Sequence, residues 1–584
     1  MSSPVPGHTA DKLKDFGIES GRFPHPFTDG ADFDYYDFDE PDPPDLDTPR
    51  TLVELRMCAL STSIREKAGW HVKFRDEKIR SRWIEEIHEQ QKDVHPSLQL
   101  TDNMINYVLT ELEAYAALRD ESTGIEPGPY ERVWRSDKLI PSNLKSELRS
   151  AVYPLESVPD SEKDWHPGSD GKVLDLVHPS LYPVIYGLTV TTSGEPIKPR
   201  EDNDVPSIFN SERFQWLPSD FHVGDDGSVS LASPYINNIH PEDHAVLQKV
   251  ILKTVERAVP LFEWVLSDLA RERQVPTRMD LKGELFPTCI WPEGEPPPVA
   301  DDEEEAAIQE EVHRLEAGRG PGDPFVDFYN VVSFKWYDRQ PKKWPDSKPA
   351  YDGGLDDVKK TINLRGRTLQ LIVKLANIVL TPEKPEYPGG KWHVEGMNNE
   401  AIVATFIYYY DCDNLTESTL SFRNGVSEPR YHGQDDNYCM VHLYGIDRDD
   451  PCAQDVGKII TKEDRCIAFP NLYQHLVAPF RLADPTRPGH RKILVFFLVD
   501  PHITIPSASV VAPQQASWKR RAISGTPMWE RLPVELQDIV ADDAGMITFE
   551  QAKAYREELM SERTIFVDTV NGERFGHEYN MCEH

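Results

Sequence analysis

Two short runs of residues carry the side chains with which this chain could do chemistry. In Trp392-His393-Val394-Glu395 an imidazole and a carboxylate stand two positions apart. On extended backbone, residues i and i+2 project to one face, so His393 and Glu395 would point together into an interior. One imidazole and one carboxylate on one face are two of the three ligands of the facial triad that holds non-haem iron(II). The pattern alone is weak, because a chain with 19 histidines and 99 acidic residues contains such pairs by chance. A second match, His240-Pro241-Glu242 with His244 just beyond, reads as the ordinary start of a helix. Proline and acidic residues in a first turn are common N-terminal features.

The second run decides for His393 and Glu395. Cys466-Ile467-Ala468-Phe469-Pro470-Asn471-Leu472-Tyr473-Gln474-His475-Leu476-Val477-Ala478-Pro479 reads as an apolar strand, a short turn and a strand with one histidine among apolar neighbours. Then Gly489-His490-Arg491-Lys492 opens the strongly apolar stretch Ile493–Val499. A guanidinium at the mouth of such a strand needs a partner, since burying it unpaired is costly. A bound dicarboxylate would supply one through the bidentate geometry that arginine favours. Alternation puts Lys492 on the face opposite Arg491, so the two cannot serve together. Arg481, Arg487 and Lys492 are the substitutes for Arg491.

With these residues in view, the chain resembles the Fe(II)/2-oxoglutarate-dependent oxygenases. Their pattern is H-x-[DE], a long gap, a distal histidine, then an arginine or lysine. It falls here on His393, Glu395, His475 and Arg491 in order. The Phe-Pro-Asn, His-x-Val-x-Pro and Gly-His-Arg segments look like the strand pair of prolyl-hydroxylase-like members. The resemblance implies a double-stranded β-helix (jelly-roll or cupin-like) core. It implies Fe(II) held by His393, Glu395 and His475, and 2-oxoglutarate anchored by Arg491. It also implies oxidation of a C–H bond with release of succinate and CO2. Two departures stand out. Many relatives place Ser or Thr two residues after the anchoring arginine, where this chain has Ile493, so Tyr408, Tyr410 or Asn398 must be considered as the second donor. The acid is also Glu rather than the commoner Asp. The whole chain further resembles a family of large fungal proteins of unknown function, sharing Tyr-Ile-Asn-Asn-Ile-His-Pro, Trp-His-Val-Glu-Gly and Pro-Gly-His-Arg-Lys segments.

The elements that must position these residues are an α+β set. Residues 1–48 form an acidic, proline-rich arm, with eight carboxylates and no base between Ala31 and Thr48. Residues 49–292 are expected to be mainly helical, including a long helix from Glu242 to about Arg273 that Pro260 should kink or split. Residues 293–323 read as an acidic and Gly-Pro linker with a helical patch. Residues 324–505 carry the expected β core, with strands at Phe325–Trp336, Thr368–Leu380, Lys391–Glu395, Ala401–Tyr410, Tyr438–Tyr444, Arg465–Phe469, His475–Phe480 and Lys492–Val499. Residues 506–584 form a C-terminal extension with a helix around Phe549–Met560. His178, Asn237, Asn238 and His240 read as turn residues rather than substrate contacts. Arg423 is available to an anionic substrate.

Composition narrows the function classes. The 584 residues exceed the usual length of one domain, about 150 residues. The balance of 63 basic against 99 acidic residues leaves a formal charge of −36, which repels nucleic acid and anionic membranes. Seven cysteines without close C-x₂₋₄-C pairs suit reduced thiols rather than a disulfide framework or a zinc site. Neither a signal peptide nor a spanning apolar run is visible, so a cytoplasmic protein is expected. The expected partners are O2 and a small-molecule or side-chain substrate. Two rivals stay open, a cupin-like metal enzyme that takes no 2-oxo acid and a non-catalytic interaction protein built on the same core.

Overall fold

A computed structural model describes residues 22–27, 47–202, 204–271, 274–282, 287, 289, 297–318, 326–430, 436–524, 529–537 and 547–581. Most of the acidic arm, the Arg319–Gly322 part of the linker and Cys582 lie outside these residues. Short polar residues start the helices. Thr51 accepts a hydrogen bond from the Glu54 N–H ahead of α1 (Leu52–Arg65), and Asp76 and Thr101 do the same for α2 (Glu77–Gln90) and α3 (Asp102–Leu118). Next come α4 (Ser142–Glu156) and α5 (Ala245–Leu269). The second runs unbroken through Pro260, because both faces of that turn are buried and packing outweighs the lost hydrogen bond.

The two larger sheets comprise β1 (Glu126–Pro127), β2 (Trp134–Ser136), β3 (Val173–Val177), β4 (Ser219–Val223), β5 (Val229–Leu231), β6 (Arg367–Leu380), β7 (Ile402–Asp413), β8 (Ser418–Gly425), β9 (Ala453–Thr461), β10 (Cys466–Pro470), β11 (Gln474–Val477) and β12 (Gly489–Val499). A nine-stranded antiparallel sheet runs β1-β2-β10-β7-β12-β6-β4-β5, with β3 also paired to β6. A smaller antiparallel sheet runs β9-β8-β11. Strands between residues 126 and 231 thus join the sheet built by β6, β7, β10 and β12, so the segment expected to be helical supplies part of the β-structure.

Long, nearly continuous apolar runs in β6, β7 and β12 reflect burial on both faces. On the outer face Phe406 stacks on Phe496 at 5.6 Å and meets Phe262 of α5 at 6.2 Å. Trp134 stacks on Trp264 at 4.2 Å and donates its indole N–H to Asp268 at 2.8 Å. The inner face carries Lys374, Ala376 and Ile378 of β6, Arg491, Ile493 and Val495 of β12, and Ile407 and Tyr409 of β7, as the register requires.

Two expected strands are helices. After α6 (Asp302–Gly318), Phe328–Arg339 forms α7 in place of a strand at Phe325–Trp336, because Asp327 caps it by accepting from the Asn330 N–H at 2.6 Å. Asn437–Tyr444 forms α8 in place of a strand at Tyr438–Tyr444, and Gly445 ends it in the left-handed region that glycine favours. β8 and β9 lie in stretches where no strand is expected from sequence. In the C-terminal extension, α9 spans Phe549–Glu573, longer than the stretch around Phe549–Met560. Among the described residues no helix is long and apolar enough to cross a membrane.

Phe406 has no exposed surface and sits where sheet meets helix. Phe406→Ala is expected to cost about 3–5 kcal/mol of unfolding free energy, read from denaturant unfolding followed by tryptophan fluorescence.

Candidate functional site

His393, Glu395 and His475 converge where the segment carrying the first two bridges to β11. His475 Nε2 lies 3.4 Å from Glu395 Oε1, and His393 Nε2 lies 3.8 Å from the same oxygen. The two imidazole rings stand 4.3 Å apart at 47°. Their side chains grade from 34% exposed at His393 through 15% at Glu395 to 5% at His475, so the site opens on the His393 side.

The expected strand Lys391–Glu395 is not a regular strand. Its only ladder contact is one bridge, in which His393 N–H donates to His475 O at 3.3 Å and His475 N–H to His393 O at 3.0 Å. Gly389, at φ +93°, lies so near β11 that an added Cβ would come within 2.9 Å of Val477 O, so a side chain there would break the approach. Side-chain bonds replace the missing ladder. Asn471 Oδ1 accepts the Glu395 N–H at 2.8 Å, and Asn471 Nδ2 donates to Glu395 O at 2.9 Å and to Ile402 O at 3.1 Å. Behind this loop Val394 and Met397 pack with Phe27, Phe209, and Phe566 and Val570 of α9. Asn571 of the same helix accepts from Gln474, the residue before His475. Neither Asn471 nor α9 is singled out as functional from sequence, although the Phe-Pro-Asn turn contains the first.

Burial alone would raise the Glu395 carboxyl, but the His475 hydrogen bond and the charges of both imidazoles outweigh it and hold the group near 2. Burial, with the neighbouring His475 charge, lowers His393 to about 4 against the pull of Glu395. The neutral imidazole and ionised carboxylate are the forms that bind a metal.

Three groups of His and acid side chains in the described residues are close enough to share an ion: His393/Glu395/His475, His166/Asp175/His178 and His95/Asp338/His442. Tautomers separate them, because a nitrogen that donates its proton elsewhere leaves the other nitrogen free to ligate. His393 Nδ1 lies 2.7 Å from Lys391 O, which can only accept, so Nε2 presents its lone pair beside Glu395. His178 Nδ1 accepts the Ser180 N–H at 3.2 Å, which puts the proton of the neutral ring on Nε2. Arg556 Nη1 lies 3.8 Å from Asp175 and opposes a second cation there. His95 Nδ1 accepts the Ser97 N–H at 3.3 Å, and Tyr438 donates to Asp338. His475 Nδ1 is buried without a hydrogen-bond partner among the described residues, so no bond fixes the tautomer of that ring. The first group therefore fits a divalent ion best.

Arg491 is 4% exposed and lies on the inner face, four residues along β12 from Val495, roughly 13 Å of strand. Its Nη1 donates to Ser418 Oγ at 2.8 Å and Thr461 Oγ1 at 3.4 Å, and Phe480 covers the guanidinium at 4.6 Å. Nε is buried without a partner, and no carboxylate lies within ion-pair reach among the described residues. The substitutes differ. Lys492 pairs with Glu156 at 2.9 Å, Arg487 pairs with Asp413 at 2.7 Å, and Arg481 is exposed. The hydroxyls beside Arg491 belong to Ser418 and Thr461, residues not singled out from sequence. Tyr408 and Tyr410 point to the outer face, away from Tyr409 and Arg491, and Tyr410 donates to Asn377 at 3.4 Å. Asn398 bonds Asp202 and Asn210 instead. Arg423 donates to Gln474 and lies over the Trp392 ring. Asn237 and Asn238 donate to carbonyls of Leu181, Tyr182 and His178, holding a turn.

Removing the Asn471 amide strands the Glu395 N–H and two carbonyls. Asn471→Ala is expected to cost roughly 2–4 kcal/mol in urea unfolding. Burial lowers His178 to about 3, although Asp175 pulls the other way. Its stabilising contribution is therefore complete above about pH 6.5, where the unfolded chain's imidazole is neutral as well, and is lost as the pH falls toward 3. His178→Asn, which keeps an acceptor for Ser180, is expected to show a smaller loss of stability between pH 7 and pH 4.5 than the unaltered chain, read from thermal midpoints.

Residues 102–522 match the family model described as "Protein of unknown function (DUF4246)", and residues 4–86 match "Domain of unknown function DUF4246, N-terminal". A search of curated proteins returned no match. Among solved structures, the Fe(II)/(alpha)ketoglutarate-dependent dioxygenase TqaL is similar over 24% of this chain and 43% of its own, at 15% identity and a TM-score of 0.15. IDO from Bacillus thuringiensis covers 25% and 50% at 11% identity and 0.15. A bsmA homolog from Methylobium petroleophilum PM1 covers 27% and 56% at 10% identity and 0.14. This chain spans about half the length of each, and scores of this size carry no argument about fold or activity. What the family match does establish, over well more than half of the sequence, is that the chain belongs to the DUF4246 family.

Proposed function

We propose that this chain is a non-haem Fe(II)- and 2-oxoglutarate-dependent oxygenase built on a double-stranded β-helix. The strand order supports the fold. β6-β12-β7-β10 form one wall, and the bridged His393 segment followed by β11-β8-β9 forms the other. Successive strands thus cross between walls as in a jelly roll. The single observation that carries the function is a pairing across the two walls. A His393/Glu395/His475 set able to share an ion stands on one wall, and Arg491, a buried guanidinium without a carboxylate partner among the described residues, stands on the inner face of the other.

His393, Glu395 and His475 would hold the metal on one side and leave its other positions open. When bound, the iron supplies O2 activation coupled to decarboxylation of the 2-oxo acid. The chain's own tasks follow from the geometry. Arg491, with the Ser418 and Thr461 hydroxyls, receives the far carboxylate and sets the length of acid that fits. Phe480 and the apolar residues around it keep water from that ion pair, which strengthens it. The Lys391 carbonyl fixes the His393 tautomer, and Asn471 fixes the Glu395 backbone.

The test is an anaerobic titration of Fe(II) and 2-oxoglutarate into the metal-free protein, followed by the visible charge-transfer absorption of the chelate. The absorption is expected to appear, to vanish in His393→Ala, and to require about tenfold or more 2-oxoglutarate in Arg491→Ala. Metal binding without the absorption would favour a cupin-like enzyme that takes no 2-oxo acid. Absence of metal binding would leave an interaction protein.

A further inference from the structure

We propose that Cys289 and Cys439 are a covalent modification site, a thiol pair that a peroxide closes into a disulfide. The inference stands apart from the reading above, since neither cysteine belongs to the His393/Glu395/His475 group.

Three observations carry it. The first is contact. Cys439 Sγ donates to Cys289 Sγ at 2.9 Å, closer than sulfurs that merely pack, so about 1 Å of travel brings them to bonding distance. Cys58, Cys412, Cys452 and Cys466 are thiols too, and among the described residues none of their sulfurs makes such a contact. The second is separation. The two cysteines stand 150 residues apart, one ahead of the acidic linker and the other on α8. Their meeting is therefore a product of the tertiary fold and not of local sequence. The third is the surroundings. Both share an apolar cluster with Met440, Leu443 and Tyr444 of α8 and with Tyr579 and Met581 beyond α9. Side chains from remote stretches thus hold the two sulfurs against each other.

Exposure sets the order of reaction. Cys289 is 7% exposed and Cys439 has no exposed surface, so a peroxide reaches Cys289 first. The Cys289 thiolate attacks one peroxide oxygen and the O–O bond breaks. The hydroxide that leaves takes up the thiol proton, giving a sulfenic acid and one water. The Cys439 sulfur then attacks the sulfenic sulfur, the S–O bond breaks, and the hydroxyl departs with the Cys439 proton as a second water. Two thiols and one peroxide become one disulfide and two waters. The bridge closes a long loop, and long loops are those in which a cross-link most restricts the unfolded chain.

The test treats the full-length protein, kept with a chelator to exclude loose metal, with a small excess of hydrogen peroxide. Remaining thiols are then alkylated in denaturant. Peptide mapping by mass spectrometry without reductant is expected to show Cys289 joined to Cys439, a link that reduction removes. The oxidised protein is expected to unfold at a higher temperature than the reduced one. In Cys439→Ser, dimedone is expected to trap a sulfenic acid at Cys289, and peroxide no longer raises the thermal midpoint. Alkylation of both cysteines after peroxide overturns the proposal. So does a link from Cys289 to Cys452 or any other cysteine, or a sulfinic acid at Cys289 with Cys439 still alkylated. The mapping is made on the unaltered chain, so it decides the matter even where the serine variant fails to fold.

Discussion

The Asn471 side-chain amide is the interaction on which the site depends. The segment that carries His393 and Glu395 is tied to the body by one backbone bridge and little else that is regular. Three hydrogen bonds from a single amide fix the Glu395 backbone and join it to the start of β7. Because Asn471 sits in the turn between β10 and β11, it ties the position of Glu395 to that of His475, four residues later. A carboxylate and two imidazoles with ligand atoms within 4.8 Å of one another are otherwise a poor arrangement in a part-buried space. They persist because the backbone beneath them is fixed.

The remainder of the molecule serves that fixation from outside. Helix α9 and the short stretch around Phe27 press an apolar cluster against Val394, the residue between the two candidate ligands. The sheet beneath is held by α5, whose buried face meets β7 and β10 over a run of aromatic side chains. The residues outside 324–505 therefore do more than decorate a core. They supply strands to its sheet and the wall behind its metal-competent loop.

Arg491 was legible as lying apart from Lys492 because period-two alternation holds along β12. His393 and Glu395 come together although their segment is not a regular strand, through the His475 bridge and the Asn471 bonds. The long strands β6, β7 and β12 were legible as nearly continuous apolar runs, the pattern of burial on both faces. Less was legible where a local cap outweighs composition. The valine- and aromatic-rich stretch after Asp327 looks like a strand, yet the aspartate cap and helical hydrogen bonding make it α7. β8 and β9 escaped notice because polar and apolar residues mix along them, and each is stabilised by pairing with residues distant in sequence. The hydroxyls beside Arg491 were hidden for a related reason. Ser418 and Thr461 meet only through the β8–β9 register, which no local pattern encodes.

The sharing of one sheet between early and late parts of the chain has a consequence for biosynthesis. On the ribosome β2, β3 and β4 emerge long before β6, β10 and β12, and they have no sheet to join until those strands follow. The loop bearing His393 and Glu395 then waits for α9, near the C-terminus, to close over Val394. The geometry of the candidate ligands is thus among the last features to form, and a nascent chain that has not yet reached α9 would expose His393 and Glu395 without the wall that orders them.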